Sequence, residues 1–80
     1  MERINRIKVV LAEKQRTNKW LAEKLGKDTS TVSKWCTNSS QPSLGTLREI
    51  AKLLNMDMRD LINSNRVEEP EVVYMRFKKD

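Results

Sequence analysis

Between Thr29 and Lys34 the chain carries Thr, Ser, Thr, Val, Ser and Lys in succession, short hydroxyl side chains followed by a flexible ammonium. Hydroxyls compete with the backbone for hydrogen bonds, so such a run is costly in a helix unless the side chains have another use. Only Val32 and, three residues on, Trp35 are core-like, which leaves Thr29, Ser30, Ser33 and Lys34 on the outer side. The chemistry open to that face is recognition rather than bond-making. The major groove of duplex DNA admits a helix, Ser and Thr bond base edges or phosphates, and Lys reaches guanine O6 and N7. A solvated helix face with capping residues accounts for the same composition equally well.

The elements that must position this face can be read on either side of it. Trp20, Leu21, Ala22 and Leu25 fall at helical spacing, with Glu23 and Lys24 left for solvent. Thr17 suits the N-cap of that helix, and Gly26 ends it, because only Gly adopts positive φ without a Cβ penalty. Asp28 is placed to cap the next helix, which begins near Thr29. Two short helices joined by a tight turn at Gly26 result. Thr37 to Ser43 is dense in turn formers and has no periodic apolar residue, so it reads as a loop. Asn38, Ser39, Ser40 and Gln41 in that loop can approach phosphate oxygens, contacts that fix register without reading sequence; a plain connector is the alternative.

The remaining helices read as scaffold. Ile4, Ile7, Val10 and Leu11 mark one face of a first helix, and Leu44, Leu47, Ile50, Ala51 and Leu54 mark the buried stripe of another, capped by Ser43 and closed by Asn55. Met56, Met58, Leu61 and Ile62 suggest a short fifth helix capped by Asp57. Trp20 reads as a partly buried core residue rather than a stacking platform. Two Trp, one Tyr and one Phe cannot supply the interleaved aromatics with which single-strand binders stack bases. Beyond Asn63 the character changes: 63–70 is polar and acidic, and 71–79 alternates around Val72, Val73, Tyr74, Met75 and Phe77. That tail can form a strand, which would need a neighbour to pair with, or remain unstructured.

Eighty residues with a formal charge of +5 bound a single small domain whose balance suits a polyanionic partner. The charge is uneven, since residues 1–63 hold 12 Lys or Arg against 7 Asp or Glu, whereas 64–80 hold 4 of each. One Cys and no His leave no internal disulfide, no Cys/His zinc site and no His-activated nucleophile. No cofactor or catalytic residue is therefore expected, and the chain is not expected to be an enzyme. Asp57 with Asp60, and Glu68 with Glu69, read as a cap, a helix face and a polar linker. Cys36 is expected to be a half-buried structural thiol. With no long apolar run and no signal-like N-terminus, a cytoplasmic location without membrane contact is expected.

Leu21-Ala22, Leu25-Gly26, Val32-Ser33, Lys34-Trp35 and Gln41-Pro42-Ser43-Leu44 resemble the Cro and phage-repressor type of bacterial helix-turn-helix regulator, over about residues 4 to 63. The family usually opens the first helix of the motif with a phosphate-touching Gln, whose place Asn18 takes here. It commonly has Glu after the Trp and Gly two residues later, where this chain has Cys36 and Asn38. The resemblance implies an all-α, five-helix domain over 1–63, with a tail over 64–80 for dimer or partner contact. It implies a sequence-specific DNA-binding transcriptional regulator, expected here as a repressor. The helix from Thr29 would then read bases with Thr29, Ser30, Ser33 and Lys34. Asn18, Thr31, Asn38, Ser39, Ser40, Gln41 and Ser43 would hold phosphates. A homodimer on a palindromic double-stranded operator is expected. The alternative is an antitoxin-type module whose tail holds a protein partner while the domain autoregulates through DNA binding.

Overall fold

The computed structural model describes residues 3–64. Within them lie four α-helices, α1 (Ile7–Glu13), α2 (Asn18–Leu25), α3 (Thr29–Cys36) and α4 (Leu44–Leu53), followed by a 3-10 turn over Met58–Leu61. The expected fifth helix is thus a single tight turn. Asp57 does cap it, accepting from the Arg59 N–H at 2.8 Å, and the Arg59 guanidinium beside it holds the Asp57 carboxyl below its ordinary range. The strand expected in the tail falls outside the described residues.

Each helix buries the stripe that its spacing marks. Ile7, Val10 and Leu11 of α1, Leu21 and Ala22 of α2, Val32, Trp35 and Cys36 of α3, and Leu47, Ile50 and Ala51 of α4 form one core with Leu54 and Leu61. Trp20 and Leu25 pack against it from its margin, as do Met56 and Met58. Two apolar residues assigned to this core lie outside it. Leu44 is 71% exposed and Ile4 54% exposed. Ile4 precedes α1 altogether, so the helical period has no helix under it there, whereas Leu44 opens α4, where the first residues of the helix stand clear of the core.

All four α-helices end in the same way. A residue at positive φ, Gln15, Gly26, Asn38 or Asn55, follows or closes the last turn. The next N–H then folds back to a carbonyl five residues earlier: Arg16 to Leu11, Lys27 to Ala22, Ser39 to Lys34 and Met56 to Ala51. Thr17 and Ser43 cap α2 and α4 through Trp20 and Thr46 N–H groups. Asp28 occupies the N-cap position of α3 in extended conformation, but its side chain makes no capping bond. A Cβ at Gly26 would meet nothing within 4 Å. Gly26→Ala should therefore cost only the backbone strain of φ +66, about 1 kcal/mol in a denaturant titration. A loss near zero would mean the turn relaxes to another conformation.

The start and end of the described chain pair with each other. Asn5 lies opposite Ile62 in an antiparallel bridge, flanked by bonds from Arg6 N–H to the Leu61 carbonyl (2.7 Å) and from Asn63 N–H to the Ile4 carbonyl (2.8 Å).

Candidate nucleic-acid interface

The two central helices pack directly on one another, and the contact is polar at its edge. Asn18, the first residue of α2, donates to Ser33 Oγ at 3.4 Å and accepts from the Cys36 thiol at 3.3 Å. Asn18 therefore braces α3 with its oxygen and one amide hydrogen, keeping the second hydrogen for another acceptor. Cys36, expected half-buried, is fully buried, and burial pushes its thiol above the ordinary value while the nearby charge of Lys8 pulls the other way. The folded state thus disfavours the thiolate. The stability this contributes is complete below the unfolded thiol pKa of about 8.5 and is lost as pH rises beyond it. Alkylation of Cys36 at pH 8 should be at least about tenfold slower in native protein than in denaturant. Equal rates would show an open α2–α3 contact.

Val32 and Trp35 pin α3 to the core, and the other side of the helix faces outward. Thr29, Ser30 and Lys34 are exposed, and Thr31 and Ser33 are partly so. Ser33 accepts from Asn18 but retains its own O–H to donate. Among the described residues, the ion pair between Arg59 and Asp57 is the one that forms, so the Lys34 ammonium meets no carboxylate there. Arg16 lies over the Trp20 ring, 4.7 Å from its centroid, and adds a cation at the flank of α2.

The loop after α3 is built differently from its sequence reading. Ser39, Ser40 and Ser43 are exposed. Asn38, expected to face phosphate, is instead 5% exposed with its side chain turned inward. Its Oδ1 accepts from the N–H groups of Ile4 and Asn5, both at 2.9 Å, and from Gln41 Nε2 at 3.1 Å. Its Nδ2 donates to the Asn5 carbonyl at 3.3 Å. Gln41 is exposed, yet its amide is held at both ends, by Asn38 and by Asn5 Nδ2 at 2.6 Å. The Lys34 carbonyl gathers the turn, accepting from Ser39 N–H, Ser40 N–H and Thr37 Oγ1. Among the described residues no bond uses the backbone N–H of Gln41, Ser43, Leu44 or Gly45. The loop therefore offers backbone donors and the Ser40 hydroxyl, while Ser39 Oγ bonds Thr37 Oγ1 at 2.8 Å, Ser43 Oγ donates to Thr46 Oγ1 at 3.0 Å, and the two amide side chains serve the fold.

Asn5 is the residue sequence reasoning missed. It is 4% exposed and its side chain bonds to three partners, Ile7, Trp35 and Gln41, and the only local trace of it is a polar residue inside an apolar period.

Two short helices meeting through a glycine turn, the second buried by Val32 and Trp35 and polar outside, are a helix-turn-helix. The chain belongs to the helix-turn-helix family, whose model matches residues 7–61, and within it to the Cro and phage-repressor type. It is also similar to the crystal structure of a candidate DNA-binding protein from Bacteroides fragilis. The TM-score is 0.74 and the identity 67%, covering 75% of this chain and 97% of that one. No functionally curated protein matches. Among the described residues no helix is long and apolar enough to cross a membrane.

Proposed function

We propose that this chain binds double-stranded DNA sequence-specifically and regulates transcription, as a repressor acting through occupancy of its operator. The observation that carries this reading is the outer face of α3. It is polar, exposed and held by only two large core residues, and its lysine is free of carboxylates among the described residues. Membership of the helix-turn-helix family and the similarity to a candidate DNA-binding protein support it. In this reading α3 enters the major groove, with Thr29, Ser30, Ser33 and Lys34 at base edges. Asn18 through its remaining amide hydrogen, Thr31, Ser39, Ser40, Ser43 and the free N–H groups of the loop hold phosphates. A homodimer reads inverted half-sites about one helical turn apart.

Selection of bound duplexes from a random pool at near-physiological salt, followed by affinity across a salt series, tests this. A palindromic winner strongly preferred over random duplex is the expected result. Enrichment of no sequence, with equally steep salt dependence on every duplex, would reduce the activity to attraction by the phosphate backbone.

A further inference from the structure

We infer that Asn5 is a positioning residue for the loop that follows α3, fixing where its backbone donors stand relative to the base-reading face. This rests on the DNA-binding reading above. The Asn5 side chain makes three hydrogen bonds from a buried site, including both that its amide hydrogens can donate. Its Oδ1 accepts from Ile7 N–H at 3.0 Å and so starts α1. Its two amide hydrogens go to the Trp35 carbonyl in the last turn of α3, at 2.9 Å, and to Gln41 Oε1 in the loop, at 2.6 Å. One side chain thereby ties the beginning of the fold, the end of α3 and the loop to one another.

Asn38 returns the tie by accepting from the Asn5 N–H and donating to the Asn5 carbonyl. The consequence falls on Gln41. Its amide is clamped between Asn5 and Asn38, so the main chain from Gln41 to Gly45, with its unbonded N–H groups, is set at a fixed offset from α3. Phosphate contacts locate a protein on the duplex, and a site is only as well placed as the residues that hold it. A residue that merely filled space could not aim the loop in this way. Asn5 itself touches no base or phosphate; it acts through Gln41 and Asn38.

Two variants of the full chain separate this role from stability. Asn5→Ser keeps an acceptor for Ile7 N–H, so α1 retains its start, but it cannot reach both Trp35 and Gln41; Asn5→Ala removes every side-chain bond and leaves the backbone bonds to Asn38. Amide hydrogen exchange of the free protein, well below its melting temperature, comes first. The amides of Asn38, Ser39 and Ser40 should exchange at least about tenfold faster in Asn5→Ser, with Leu21 and Ile50 unchanged. Phosphate-ethylation interference on the selected duplex comes second. Interference should vanish opposite the loop and persist elsewhere, with affinity down about tenfold and base preference under α3 retained. Acceleration of Leu21 and Ile50 in the same ratio as the loop would overturn the inference, leaving Asn5 a stabilising residue only. So would a faster loop with an unchanged interference pattern. Wild-type protein that shows no interference on any duplex would remove the DNA-binding reading and the inference with it, whatever the exchange data show.

Discussion

Asn38→Ala should lower the unfolding free energy by about 2–4 kcal/mol, a large part of the roughly 5–15 kcal/mol that a small domain holds. Two causes add. The first is the loss of Oδ1, which leaves the N–H groups of Ile4 and Asn5 without their acceptor; the latter bond is buried, and an orphaned buried donor keeps its full desolvation cost. The second is conformational, because φ at Asn38 is +63 and Ala tolerates that region less well than Asn. Asn38→Gly separates the two, since Gly removes the same bonds but accepts the backbone. Gly should therefore be more stable than Ala by about 1 kcal/mol and still well below the native protein. Denaturant titrations of the three proteins decide it. If Asn38→Gly matched the native chain, the side-chain bonds would contribute nothing, and position 38 would be a helix terminator alone.

Lys34→Ala should leave folding within about 0.5 kcal/mol of the native value, because the side chain is exposed and meets no carboxylate among the described residues. Its effect belongs to binding. A lysine at a base edge contributes about 1–3 kcal/mol of discrimination, so the variant should bind the selected operator more weakly and lose its preference at one base pair in each half-site. The salt dependence should fall little. Measuring affinity for the operator and for its single-base variants gives the answer. Uniform weakening across all of them, with a shallower salt slope by about one unit, would place the Lys34 ammonium on a phosphate.

Features governed by neighbouring residues were legible in the sequence. Gly26 was read as a positive-φ turn, Asn55 as the close of a helix, and Thr17, Ser43 and Asp57 as caps, because each acts within four residues of itself. The apolar periods of α1, α2, α3 and α4 were legible for the same reason. The period misled at Ile4, where it ran past the helix, and at Leu44, in the exposed first turn of α4. Asp28 stands at the expected position without the expected bond, so residue type located the cap but could not show where its carboxylate turns. Gln15 closes α1 at positive φ although its residue type gives no such signal. In the interface, exposure of the α3 face followed from Val32 and Trp35. The inward turn of Asn38 did not follow, because its partners Ile4 and Asn5 lie more than thirty positions away and no spacing rule connects them.

The pairing of Asn5 with Ile62 makes the domain a ring closed by hydrogen bonds rather than by a covalent link. Arg3 and Asn63 stand side by side, with Asn63 Nδ2 donating to the Arg3 carbonyl at 2.8 Å, and this place adjoins Asn38 and the loop. A load hung on either side pulls on the same seam. Joining the two sides by a short peptide and reopening the chain at an exposed turn, such as that at Lys14 and Gln15, would keep the seam shut in the unfolded ensemble as well. The permuted chain would then fold without the entropy cost of closing this distant contact.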